Sequence, residues 1–207
     1  MADTFKTVKA DQKISIEIKK SIFIVHVTPV KTEQSAQDFI QHIQKTYSDA
    51  AHNVFAYRVG VKSERARQSD DGEPAGTAGK PVLEVLEQEA LTNTVIVITR
   101  YFGGIKLGAS GLIRAYRSSA AKGIASAGKV TRSKHRLIET EIGYSELGKM
   151  RHKMANHPRW TLKKIHYKEN VKVVVAVPVG ETGPFMGFLN ELTDGSAKFT
   201  KKEIVFL

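Results

Sequence analysis

The residue types in this 207-residue chain that could do chemistry gather first in Thr94-Val-Ile-Val-Ile-Thr-Arg-Tyr-Phe-Gly-Gly-Ile-Lys-Leu-Gly-Ala-Ser-Gly-Leu-Ile-Arg114. A β-branched apolar run reads as a buried strand; it breaks into glycines around Lys106, and a helical pattern begins near Ser110. Strand, glycine loop and helix N-terminus together aim free backbone N–H groups, and the positive end of the helix dipole, at an anion. Lys106 lies in the loop and Arg100 and Arg114 flank it. Arg100, Gly103, Gly104, Lys106, Gly108 and Arg114 therefore form a candidate phosphate cradle. The same glycines also suit a tight turn with close helix packing. Gly103 and Gly108 keep the G-x-x-x-x-G spacing of a P-loop, but Ala109-Ser110 follows in place of Lys and Ser/Thr, so this is not a Walker motif.

A second glycine-lysine loop, Asp70-Asp-Gly-Glu-Pro-Ala-Gly-Thr-Ala-Gly-Lys-Pro81, precedes another helical pattern. Gly76, Gly79 and Lys80 suit a second anion-receiving turn, with Thr77 as the helix cap. Asp70, Asp71 and Glu73 place three carboxylates within four positions. They fit a Mg²⁺ that bridges to a phosphate, ion pairs with Arg65, Arg100 or Lys106, or plain solvation. The helix from Ser110 repeats Arg114, Ser118 and Lys122 at i, i+4 and i+8, with Arg117 beside them and Leu112, Ile113, Tyr116 and Ile124 opposite. That row is either a solvated face or a track for phosphates. Further on, Lys149, Arg151, His152, Lys153, Arg159, Lys163, Lys164 and Lys168 crowd around Trp160 and Tyr167. Cations among aromatics suit single-stranded RNA, and Trp160 equally suits a core.

The seven histidines make no metal-ligand spacing, and no serine sits in a nucleophile elbow. No catalytic residue is assigned, and a non-enzymatic chain is favoured over an enzyme without excluding one. The absence of cysteine excludes disulfides, a thiolate nucleophile and Cys-ligated metals. No apolar run approaches a membrane span and the N-terminus lacks a secretion signal, so a cytoplasmic, non-membrane protein is expected. The net charge of +11 points to polyanionic partners such as RNA or a ribosome, with an acidic protein as the other fit. Up to residue 130 there are 18 basic and 13 acidic residues; after it, 14 and 8. The shorter C-terminal part is the more densely positive.

Those residues need elements to hold them. A small-residue helix ends near Ala127-Gly128 and a polar, basic stretch follows, which places a boundary between domains at 1–130 and 135–207. In the first, Ile14 to Val30 reads as one long β stretch bent at Lys19-Lys20-Ser21. An amphipathic helix over Ala36 to Tyr47 and a strand over Val54 to Val61 follow. A long polar segment over Lys62 to Gly79 leads to a helix from Pro81, then to the strand and helix around the first loop. The order is β(β)αβαβα. In the second, Arg136 to Tyr144 alternates as a half-buried strand, a helix runs to about Asn156, and strands follow over Trp160 to Tyr167 and Val171 to Val179. A helix entered at Pro184 and a strand over Lys198 to Phe206 complete βαββαβ, the ferredoxin-like plan. The fold class is α+β with two domains.

The residues Ala51-His-Asn-Val-Phe-Ala-Tyr-Arg58, Ser69-Asp-Asp-Gly-Glu-Pro-Ala-Gly-Thr-Ala-Gly-Lys-Pro81 and Thr99-Arg-Tyr-Phe-Gly-Gly-Ile-Lys-Leu-Gly108 resemble the motifs of the IMPACT/YigZ family, in the family's order. The resemblance covers about the first 130 residues, and the remainder resembles the smaller C-terminal domain of the bacterial members. It implies a first domain similar to one domain of a small-subunit ribosomal protein and to domain IV of elongation factor G, and a second similar to that factor's domain V. It also implies a part in regulating translation, which eukaryotic relatives exert under amino-acid starvation by competing for an activator of a kinase. That competition uses a different partner-binding domain and is not carried over. The function expected is a translation-associated regulatory protein that binds RNA or the ribosome through basic, glycine-lysine surfaces. The alternative is a phosphate-ligand enzyme with Mg²⁺ on Asp70, Asp71 and Glu73, an analogy resting on a fold shared with small-molecule kinases.

Overall fold

The computed structural model describes residues 3–207 and divides between Thr131 and Arg132 into two compact units. The chain is α+β in both. In the N-terminal unit the order is β1 (Thr4–Val8), β2 (Gln12–Ile18), β3 (Ser21–Pro29), α1 (Glu33–Thr46), β4 (His52–Val59), β5 (Arg65–Ser69), α2 (Gly79–Gln88), β6 (Thr94–Tyr101) and α3 (Ala109–Ala127). The antiparallel sheet runs β2-β3-β6-β4-β5. Strand β6 is central, which is why Thr94 to Arg100 is buried without alternation: helices cover both of its faces. Helices α2 and α3 pack over Phe23, Val25, Ile96 and Ile98 on one face, and α1 over Val95, Val97 and Tyr57 on the other.

Several expectations need correcting. Ile14 to Val30 is a hairpin of β2 and β3, with Lys19 and Lys20 both left-handed at φ 47° and 65°. A two-residue turn of type I′ needs positive φ at both central positions, and two lysines carry no sign of it in the sequence. The long polar segment from Lys62 to Gly79 contains a further strand, the edge strand β5 at Arg65–Ser69. Its Arg65 and Arg67 meet the Glu33 carboxylate at the start of α1. The Tyr57 hydroxyl bonded to Glu33, and then Arg65, hold that carboxylate below its ordinary range. The short strand β1 went unpredicted.

The C-terminal unit contains most of β7 (Lys129–Ile142), then α4 (Tyr144–Ala155), β8 (Thr161–Tyr167), β9 (Val171–Pro178), α5 (Thr182–Leu192) and β10 (Lys198–Phe206). Strand β7 begins within the polar, basic stretch that marks the boundary. The sheet order β10-β7-β9-β8, all antiparallel, is the ferredoxin-like arrangement. Alternate residues Val171, Val173, Val175 and Val177 pack with Ile138 and Ile142 against Met150, Phe185 and Leu189 of the helices. Among the described residues, no helix is long and apolar enough to cross a membrane.

His26 in β3 is buried and its Nε2 has no partner, with its ring 5.3 Å from that of Tyr47. Burial first, then Lys13 and His42, lower its pKa from 6.5 to about 4. The unfolded chain therefore takes up a proton in the window between those values that the folded chain refuses. Stability of this unit is expected to fall as pH drops from about 6.5 to 4, by on the order of 3 kcal/mol from this residue. A His26→Phe variant should melt with a shallower acid dependence, and a melting-temperature series from pH 7 to 4 checks it.

Candidate functional site

The three sequence motifs converge in space. Asn53 at the start of β4 donates its backbone N–H to Asp71 Oδ2 at 2.6 Å, and its side-chain oxygen accepts from the Thr99 hydroxyl of β6 at 2.7 Å. His52 Nδ1 lies 2.8 Å from the Asp71 carbonyl, and its Nε2 lies 3.8 Å from Glu73 Oε2. Glu73, 8% exposed, accepts at Oε1 from Arg100 and from the Tyr116 hydroxyl, each at 2.7 Å. Burial, then the Glu73 charge, push the Tyr116 phenol well above its ordinary range. Arg100, 5% exposed, also reaches the Ser21 hydroxyl at 3.3 Å, and its guanidinium lies 5.5 and 5.7 Å from the Phe23 and Phe102 rings.

This geometry redistributes the predicted anion cradle. Arg100 does not face solvent; a buried cation must be paired, and Glu73 pairs it. The Gly103 N–H donates to Ser21 Oγ at 3.2 Å. A Cβ at Gly103 would stand 2.0 Å from the Lys20 carbonyl, so close approach to the β2–β3 turn requires this glycine. The amides of Gly76, Ala78 and Gly79 all donate to the Asp70 carboxylate, at 2.8, 3.0 and 2.8 Å. The anion at the N-terminus of α2 is thus the chain's own. Thr77 does not cap that helix; its hydroxyl donates to the Pro74 carbonyl at 2.6 Å.

The carboxylates do not gather as metal ligands. Asp70 faces α2, Asp71 faces β4 and Glu73 points into the core. Among the described residues no group of three or more His, Cys, Asp or Glu side chains is placed to hold a metal ion. A Mg²⁺ on Asp70, Asp71 and Glu73 has no support in this arrangement.

Exposed positions remain around α3. Gly104, Lys106 and Gly108 line the loop, and the glycines stand at φ 84° and 70° with open space where a Cβ would be. No side chain caps α3, and its first residues Ala109 and Ser110 are exposed. Helix geometry leaves first-turn amides without an intrahelical acceptor. Arg114, Ser118 and Lys122 form the exposed row foreseen, and Arg117 pairs with Glu84. Lys80 is exposed at the start of α2. In the C-terminal unit Lys149, Arg151, Lys153, Lys163 and Lys164 are all exposed, with Lys153 lying 5.9 Å from the Phe188 ring. Trp160 belongs to the core, its Nε1 donating to Glu181 at 2.8 Å, so it presents no face to a base.

Ser21 and Tyr116 were missed as partners of the cluster. Tyr116 sits among apolar positions of a helix and reads as core packing; nothing in its spacing marks the hydroxyl. Ser21 lies at a turn whose conformation the sequence does not show.

The model of the Impact N-terminal domain matches residues 19–124, and that of a domain of unknown function, DUF1949, matches 140–196. The chain is 44% identical to the IMPACT family member YvyE of Bacillus subtilis, over all of this chain and 95% of that protein. It is 31% identical to human Protein IMPACT over 47% of this chain and 32% of that protein. A crystal structure described as that of a hypothetical protein superposes with a TM-score of 0.65 at 27% identity, covering 98% of this chain and 99% of the other.

Proposed function

From the premise that this chain belongs to the IMPACT family, we propose that it is a translation-related regulatory protein that binds RNA or the ribosome. The family resemblance supports the part in translation. The observation that carries RNA binding is the exposed, uncapped N-terminus of α3, with Lys106 in its approach loop and Arg114 and Lys122 along its outer face. Free amides at a helix N-terminus suit phosphate oxygens, and cations spaced one helical turn apart suit a chain of them. The net charge of +11 adds long-range attraction to any polyanion.

The proposal is tested by ribosome co-sedimentation and RNA gel shifts at rising salt. Binding should weaken steeply, by about 10-fold or more between 50 and 200 mM salt, as counterion release requires. The Lys106→Ala/Arg114→Ala double variant should bind more weakly and with a shallower salt slope, by about one for each phosphate that is no longer neutralised. Absence of association at low salt would remove the proposal. Nuclease-resistant capture of an acidic protein would redirect it to a protein partner.

A further inference from the structure

Two tyrosines on the C-terminal unit are more exposed than the fold requires. Tyr144, the first residue of α4, and Tyr167, the last of the edge strand β8, are 56% and 58% exposed. Their rings stack, with centroids 6.3 Å apart and planes 23° from parallel. The Tyr144 hydroxyl donates to the Lys168 carbonyl at 2.7 Å, which fixes its ring against the β8–β9 turn. A stacked aromatic pair held rigid and left in water buries little and loses side-chain entropy, so packing alone does not account for it.

What lies beside the pair has the character of a path. Gly148 and Arg151 stand four and seven residues beyond Tyr144 and so share its helical face; both are exposed. A glycine inside a helix costs about 1 kcal/mol relative to alanine. Here nothing lies within 4 Å of where its Cβ would be, so no close packing demands it. The result is a ring platform, a bare stretch of backbone and a guanidinium in line. The unit carries 14 basic and 8 acidic residues. The nearest carboxylate on the helix, Glu146, is turned back onto the Gly143 N–H at 2.6 Å.

We propose that Tyr144 and Tyr167 form a base-stacking platform for single-stranded nucleic acid, with the strand's backbone passing over Gly148 toward Arg151. Ring faces suit bases of any sequence, and cations beside them suit the phosphates. An acidic peptide would use the cations but leave both rings unmatched. The inference rests on the RNA reading above and deepens it, since it names unpaired strands as the ligand and a surface apart from α3.

The test uses fluorescence anisotropy of the full chain with a labelled RNA of about 12 unstructured nucleotides, and with a duplex of the same sequence, at about 50 mM salt. The single strand should bind more tightly than the duplex. Tyr167→Ala should weaken it about 5-fold or more, while Tyr167→Phe, which keeps the ring, should bind as the unaltered chain does. Gly148→Gln fills open space with a better helix former, so it should fold, and it should weaken binding through obstruction. A folded Tyr167→Ala or Gly148→Gln variant with unchanged affinity would overturn the platform while leaving the RNA reading intact. So would binding of ribosomes but not of the free strand, or competition by polyglutamate as strong as by polyuridine. Failure to bind either RNA or ribosomes would remove both.

Discussion

Glu73→Ala is expected to destabilise the N-terminal unit by about 3–5 kcal/mol, because it leaves the Arg100 guanidinium buried without its counter-charge. The Tyr116 hydroxyl loses its acceptor in the same change, and a buried donor without a partner adds to the loss. For a unit of this size the melting temperature should drop by about 10 °C or more. Glu73→Gln keeps an oxygen for Arg100 or Tyr116 but not the charge, so it should fall between. The pairing itself is isolated by Glu73→Leu with Arg100→Leu. Removing both charges should restore much of what Glu73→Leu alone loses, since an apolar pair avoids the desolvation of two ions. A Glu73→Ala chain melting within a degree or two of the parent would show that Arg100 finds water or another acceptor.

That outcome bears on function through geometry. Arg100 ends the buried length of β6, and the loop to α3 starts two residues later. Glu73 holds Arg100, Arg100 reaches Ser21, and Ser21 accepts the Gly103 amide. The family's motifs thus meet in a polar cluster that fixes where the exposed loop leaves the sheet. The motif residues fall in two layers: the charged ones inside set the position, and Lys106 with the two open glycines outside faces solvent.

The sequence showed some of this directly. The apolar run in β6 and the alternation at Arg136 to Tyr144 are periodic signals, and they place the strands that matter. The Arg114, Ser118, Lys122 row emerges on the exposed face because helical spacing alone determines it. Other features depend on residues far apart in the chain. Nothing local distinguishes Arg100 from a solvent-facing arginine until Glu73, 27 positions earlier, is folded over it. Strand β5 reads Arg-Ala-Arg-Gln-Ser, an exposed edge whose charges guard against further pairing, and such edges carry no apolar alternation to detect. Tyr144 begins α4 and Tyr167 ends β8, so the whole of that helix and strand lies between them and only the tertiary fold brings their rings together.

Asp70→Ala should lower stability by about 2–4 kcal/mol, since three backbone amides at the start of α2 lose one charged acceptor together. Asp70→Asn retains one carbonyl oxygen for Ala78 and Gly79 but turns an amide toward Gly76, and about half of the loss is expected. The vacated amides give this variant a signature that general destabilisation would not produce. Gly76, Ala78 and Gly79 would then present the open cradle that the glycine-lysine spacing suggests, beside the exposed Lys80. Inorganic phosphate or sulfate should therefore raise the melting temperature of Asp70→Ala more than that of the parent, because an anion bound only by the folded form stabilises it, with the logarithm of its concentration once that exceeds Kd. Mg²⁺ separates the roles of the carboxylate. If Asp70 serves as the internal anion of α2, Mg²⁺ should shift the parent and Asp70→Ala equally. A Mg²⁺-dependent rise in the parent that vanishes in the variant would instead make Asp70 a metal ligand and return the phosphate-ligand reading to this loop.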